Sequence, residues 1–111
     1  MKRLRGLTFR HYRIYNNYVK IEYDPAKRER VLRERGLDLA DAAEVLSDEC
    51  YEMPDERFPY GEARWVSLGL LRGEVVACVW AMGEDDTIRV VTMWRANRSE
   101  QKKYFRFIEG R

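Results

Sequence analysis

The chain has 111 residues, of which 45% are hydrophobic and 36% are charged. This balance favours one soluble globular domain and argues against wholesale disorder. No apolar run approaches the roughly 20 residues that cross a bilayer, and the N-terminus lacks the apolar stretch of a secretory signal. Cys50 and Cys78 are too few for a disulfide framework or a thiolate zinc site, so we expect a reducing cytoplasm and no membrane partner.

The net charge of +2 conceals a strong segregation of charge along the chain. Residues 1–20 contain six basic residues and no acidic one, and residues 89–111 contain seven basic and two acidic residues. Residues 38–56 contain eight acidic residues and no basic one. If the two basic ends meet in space, they form a cationic face suited to a polyanion. The alternative is that these charges only keep a small protein soluble.

The first half of the chain predicts a basic arm followed by a strand and two helices. Residues 1–18 follow neither a helical nor a strand period, so we expect an arm whose order the pattern leaves open, before one domain over residues 19–111. The alternation in residues 19–23 predicts a short strand. Asp24 and Pro25 then start a helix over 25–35 that Gly36 ends, and Asp38 caps a second helix over 39–48.

The second half predicts an antiparallel meander and a last helix. Residues 63–71, 74–82 and 87–94 are joined by short turns, and they are predicted to form three consecutive strands. A short strand and a loop precede them. Asn97 and Glu100 form a capping-box pattern, with Tyr104, Phe105 and Ile108 as the expected inward face of the last helix. The expected fold is α+β, a mostly antiparallel sheet with two N-terminal helices and one C-terminal helix. The predicted ranges are 50–53, 63–71, 74–82 and 87–94 for strands, 54–62 for the loop and 98–107 for the helix.

Arginine side chains are the strongest candidates for chemistry. The single histidine, His11, lies in the basic arm, and no metal-binding constellation, phosphate loop or nucleophile motif is present, so we expect no cofactor. Arg64 and Arg89 lie on predicted strands of one sheet, so they can share a site that binds phosphate. The alternative is that each arginine pairs with a nearby acid, Arg64 with Glu62 or Arg89 with Glu74.

Several segments, in order, resemble the BrnT family of bacterial toxins. IEYDPAK (residues 21–27) is similar to the family's opening aromatic-Asp-x-x-Lys signature, and Gly36 followed by DLADAAEVL is similar to its acidic helix. GEARWVSLG (residues 61–69) is similar to its Gly-Glu-x-Arg-Trp strand start. IRVVT followed by RANRSEQKKY (residues 88–104) is similar to its last strand and closing helix.

This resemblance implies both a fold and an activity. BrnT proteins have a compact α+β fold akin to the RelE-like ribonucleases, and they cleave RNA without a metal and so inhibit translation. They are the toxin half of a type II toxin–antitoxin pair. The implied partner is a BrnA-type antitoxin, and the implied contact with operator DNA is made only through that antitoxin.

The resemblance also implies site residues. Arg64, Arg89 and Arg95 are the expected phosphate-stabilising residues, and Lys27 matches the family's lysine and can assist there or in proton transfer. Glu62 is a possible general base, or else a partner of Arg64. Apart from the resemblance, which does not cover the first twenty residues, the residues expected to bind RNA outside the chemistry are Arg3, Arg5, Arg35, Arg98 and Trp94. The alternative for Trp94 is packing in the core or at an edge of the sheet.

Two positions depart from the family pattern. Arg35 stands where the family usually has histidine, and its guanidinium cannot act as a base at neutral pH. Trp94 stands where the family usually has arginine, and an indole cannot neutralise phosphate. A second hypothesis therefore stays open, in which the protein is a catalytically inactive member that retains antitoxin or RNA binding and a role in operon repression.

Overall fold

A five-stranded β-sheet forms the centre of the structure, a computed structural model that describes residues 20–47, 49–57 and 59–110. In spatial order the strands run β1-β5-β4-β3-β2. The meander of β3, β4 and β5 is antiparallel, as the short turns predicted, while β1 pairs parallel with β5. The predicted arm, with Arg3 and Arg5, lies outside the described residues. The strands are β1 (Ile21–Glu22), β2 (Tyr51–Pro54), β3 (Trp65–Leu71), β4 (Glu74–Met82) and β5 (Ile88–Arg95).

The first helix, α1 (Pro25–Arg35), has the predicted bounds. The Asp24 carboxylate accepts a hydrogen bond from the backbone N–H of Ala26 at 3.0 Å, which satisfies one of the unpaired donors at the helix start. Gly36 ends the helix at φ 69°, a left-handed conformation that glycine adopts without steric cost. Local capping chemistry therefore determines both ends of α1.

The predicted second helix over 39–48 is too long. The structure has a 3-10 turn (Leu39–Asp41) and then the short helix α2 (Ala42–Val45). Leu39, Ala42 and Val45 are fully buried, so the 3-10 turn and α2 bury one apolar side chain every three residues on a shared face. The side chain of Ser47 accepts a hydrogen bond from the backbone N–H of Glu49, a local turn that competes with further helix.

The sheet is covered on both faces. On one face, α1 and the segment after it bury a core that includes Val31, Leu39, Trp80 and Met93. On the other face, the last helix, α3 (Arg98–Glu109), covers a second core. A sheet buried on two sides explains why β4 is buried along almost its whole length. Within the described ranges, no helix combines the length and apolar character needed to cross a membrane.

The last helix confirms its predicted cap and corrects its predicted inward face. Asn97 and Glu100 form the capping box, with both hydrogen bonds at 2.8 Å. Tyr104 is buried and Ile108 packs against the second core, as predicted, but Phe105 is 48% exposed. Phe107 packs instead, with its ring 5.3 Å from that of Tyr51. The reason is helical geometry, because residues three and four apart share a face whereas adjacent residues do not.

Candidate active site

Arg64 and Arg89 meet at one end of the sheet, where Glu62 joins them. Because β4 is antiparallel to both β3 and β5, the beginnings of β3 and β5 lie at the same sheet end. Arg64 precedes β3 directly and donates from Nε to Glu62 Oε2 at 3.0 Å. Arg89, near the start of β5, donates from Nη2 to the same oxygen. The predicted pairing of Arg64 with Glu62 is thus confirmed, whereas Arg89 also pairs with Glu62 and not with Glu74.

The two arginines keep Glu62 in its ionised form. Partial burial raises the pKa of this carboxyl, but the hydrogen bonds from Arg89 and Arg64 outweigh burial and leave the pKa below its ordinary value. A carboxylate with a lowered pKa is a weak proton acceptor. Glu62 is therefore better suited to aligning two guanidinium groups than to removing a proton.

Lys27 lies in the first turn of α1, close to further positive charge. Burial lowers the pKa of Lys27, and the charges of Arg30, Arg35 and Arg64 lower it further, while Asp24 opposes them. Within the described ranges, no carboxylate lies at ion-pair distance from Lys27. Like charges this close repel one another, and an anionic ligand would relieve that repulsion.

An open cleft of about 750 Å³, the loop cleft, adjoins the arginine pair. The loop between β2 and β3 forms it, and Glu62 and Arg64 belong to its lining. The Arg64 guanidinium lies over the Tyr60 ring at 4.1 Å from its centroid. The cleft thus places an aromatic ring beside the arginines. Among the described residues, its lining is residues 54–57 and 59–65.

Arg95 does not join this cluster. It ends β5, six residues beyond Arg89, which places the two Cα atoms roughly 20 Å apart along the strand. Arg95 donates from Nε to Glu74 Oε1 at 3.2 Å and from Nη1 to the backbone carbonyl of Arg35. Strand length therefore separates Arg95 from Arg64 and Arg89, and its expected role in phosphate stabilisation stays a prediction.

Arg35 connects the end of α1 to β5. Its Nη1 donates to Thr92 Oγ1 at 3.0 Å and to the Met93 carbonyl oxygen at 2.6 Å. The Arg35 side chain thus has a structural role, and its charge also lowers the pKa of Lys27.

Trp94 and Arg98 lie on the α3 side of the sheet. The indole Nε1 of Trp94 donates to the Glu100 carboxylate at 3.2 Å, and the Arg57 guanidinium lies 5.2 Å from the centre of its ring. Trp94 packs against the second core, so a nucleobase would have to displace Arg57 to stack there. Arg98 begins α3 and lines a separate groove with Lys102 and other α3 residues.

Asp55, Arg57 and Tyr60 are site residues that the sequence did not reveal. They lie in the segment that the proline and glycine content predicted only as a loop, where no periodicity marks a buried position. Asp55 is nevertheless buried and accepts hydrogen bonds from both Arg57 and Tyr60. The one available signal was an aspartate and an arginine two residues apart beside an aromatic residue.

Comparison with known proteins gives a family and a fold. Residues 23–100 match the family described as ribonuclease toxin, BrnT, of type II toxin–antitoxin system. The crystal structure of the Brucella abortus ribonuclease toxin BrnT is similar, with a TM-score of 0.57 and 23% sequence identity over 72% of this chain and 99% of that one. The search of curated proteins gave no match. Because the family match spans most of the chain, the protein belongs to the BrnT family of ribonuclease toxins of type II toxin–antitoxin systems.

Proposed function

We propose that this protein is a metal-independent endoribonuclease that cleaves cytoplasmic RNA and thereby inhibits translation. The observation that carries the proposal is the shared Glu62 oxygen, which holds Arg64 and Arg89 together. The charge of Arg64 also lowers the pKa of Lys27. Paired guanidinium groups suit phosphate, because each presents several N–H donors in a rigid plane.

The proposed reaction uses the RNA's own 2′-hydroxyl as the nucleophile. The 2′-hydroxyl gives up its proton and its oxygen attacks the adjacent phosphorus. The bond to the 5′-oxygen breaks, that oxygen takes up a proton from water, and the products are a 2′,3′-cyclic phosphate and a 5′-hydroxyl. Negative charge grows on the non-bridging oxygens during this step, and Arg64 and Arg89 are placed to stabilise it. Glu62 orients them by accepting one hydrogen bond from each guanidinium group. The assignment uses four of the five predicted catalytic residues and omits Arg95.

Lys27 is the proposed proton acceptor. Its lowered pKa increases the fraction of neutral amine near neutral pH, whereas Glu62 is stabilised as a carboxylate and Arg35 stays protonated. Cleavage should therefore accelerate as pH rises towards the pKa of Lys27 and then level off. Lys27→Arg retains the charge but loses the acceptor, so we expect about a 10²-fold lower rate and loss of this rise with pH. A single-turnover pH–rate profile of both proteins measures it, and an unchanged profile would assign Lys27 to phosphate binding alone.

Positive charge outside the site is proposed to hold the RNA. Arg35 and Arg98 contribute on the described surface, and Arg3 and Arg5 contribute from the N-terminal arm. Because phosphate contacts release counterions, binding should weaken steeply as salt concentration rises. Trp94 is not part of this proposal, since Arg57 covers its ring.

A BrnA-type antitoxin is the proposed protein partner, and operator DNA is contacted only through it.

The test of the proposed function uses purified, antitoxin-free protein with end-labelled single-stranded RNA in EDTA. We expect slow cleavage to a 2′,3′-cyclic phosphate, inhibition when the antitoxin gene product is added, and growth arrest when the protein is expressed alone. An intact substrate together with harmless expression would favour the catalytically inactive alternative.

A further inference from the structure

The loop that carries Glu62 and Arg64 is anchored by a buried carboxylate. The Asp55 side chain is 1% exposed. It accepts two hydrogen bonds from the Arg57 guanidinium, at 2.7 and 2.9 Å, and one from the Tyr60 hydroxyl at 3.0 Å. The bonds from Arg57 and Tyr60 hold the pKa of Asp55 below its ordinary value, although burial opposes them. A buried charge is tolerated only when its lone pairs are satisfied in this way.

The same anchor reaches Arg64 by two routes. The backbone N–H of Asp55 donates to the carbonyl oxygen of Arg64 at 2.8 Å, which joins the two ends of the loop. The Tyr60 ring, whose hydroxyl bonds Asp55, lies 4.1 Å from the Arg64 guanidinium carbon. Glu62 restrains the guanidinium through its Nε–H group, and the Tyr60 ring packs against the guanidinium carbon.

We propose that Tyr60 is a positioning residue for RNA cleavage, because its ring, oriented by the buried Asp55 carboxylate, holds the Arg64 guanidinium in the plane that faces the scissile phosphate. The proposal rests on the proposed function. In this role Tyr60 acts through Arg64 and takes no part in proton transfer. A small displacement of a charge-stabilising group lowers a reaction rate far more than it weakens binding, since the geometry matters most in the transition state.

The test compares two substitutions that remove different parts of this arrangement. Tyr60→Phe keeps the ring and removes the hydrogen bond to Asp55, whereas Tyr60→Leu removes the ring. We expect single-turnover cleavage at saturating RNA to fall about threefold for Tyr60→Phe and roughly 10- to 100-fold for Tyr60→Leu, with RNA affinity changed by less than about twofold. Tyr51→Phe, on β2 against Phe107, is the matched control and should match the wild type.

A second measurement is independent of catalysis. ¹⁵N relaxation of the Arg64 Nε–H group should show increased motion in Tyr60→Leu, while the Arg89 Nε–H group remains as in the wild type. If the wild type does not cleave RNA, the proposed function fails and relaxation alone decides the positioning role. Wild-type cleavage and unchanged Arg64 relaxation in Tyr60→Leu would overturn the inference. If Tyr60→Leu lacks a cooperative thermal transition, Tyr60→Phe decides by the same two measurements.

Discussion

Replacement of Arg64 or Arg89 by alanine is expected to lower the RNA cleavage rate by roughly 10²–10³-fold while weakening RNA binding by less than tenfold. Both guanidinium groups hydrogen-bond to Glu62 and face the phosphate in the proposed reaction. The charge that they stabilise develops mainly in the transition state, so its loss affects turnover more than affinity. Single-turnover rates at saturating RNA, together with equilibrium binding to a non-cleavable 2′-deoxy substrate, separate the two effects.

Arg72→Ala is the matched control for lost charge. Arg72 lies in the β3–β4 turn, is exposed, and pairs with Asp41 at 3.2 Å, so its removal subtracts one positive charge away from the proposed site. Replacement of Arg3 and Arg5 together should do the reverse of Arg64→Ala, weakening binding with little effect on turnover. Cleavage by Arg64→Ala and by Arg89→Ala at the wild-type rate would show that the active site lies elsewhere on the protein.

In the double variant Arg64→Ala/Arg89→Ala, the fold-decrease in the RNA cleavage rate is expected to be smaller than the product of the fold-decreases in the two single variants. Arg64 and Arg89 share one Glu62 oxygen, so removal of either leaves the other less well aligned. When two groups act as a unit, the effects of their substitutions on the activation free energy are not additive. Strict additivity of the two activation free energies would instead mean that each arginine acts alone and that Glu62 does not couple them.

Gly69→Ala is expected to destabilise the fold by more than about 3 kcal/mol, a large fraction of the roughly 5–15 kcal/mol that holds a typical domain folded. Gly69 is buried in β3 opposite Val76. A Cβ at this position would lie far inside contact distance of the Val45 carbonyl oxygen and 3.0 Å from the Val45 carbonyl carbon. Both are backbone atoms at the end of α2, so relief requires α2 to move away from the sheet.

Gly73→Ala provides the comparison for this steric effect. Gly73 lies in the β3–β4 turn at φ 86°, and a Cβ there meets no atom within 4 Å. Its replacement should therefore cost only the left-handed backbone strain, about 1 kcal/mol. Urea unfolding of both variants and the wild type measures the difference. Equal losses would show that close packing of α2 on β3 contributes little to stability.

The amino-acid sequence determines the local elements of this protein, because the forces that form them act between near neighbours. Asp24 and Gly36 delimit α1, and Asn97 with Glu100 starts α3. The tight turn at Arg72 and Gly73 makes β3 and β4 an antiparallel hairpin. The ordered motifs from residue 21 to residue 104 indicate the family without any tertiary contact, and residues 23–100 match its model.

Only the tertiary structure decides which charged groups meet. Glu62 and Arg89 are 27 positions apart, and they meet because two antiparallel pairings bring the beginnings of β3 and β5 to one sheet end. A bulge between Val79 and Trp80 shifts this register by one residue, and no local propensity predicts such a shift. The length of β5 places Arg95 at the other end of the sheet, where it pairs with Glu74. The burial of Asp55 is also a tertiary effect, because its hydrogen-bond partners Arg57 and Tyr60 reach it only in the folded loop between β2 and β3.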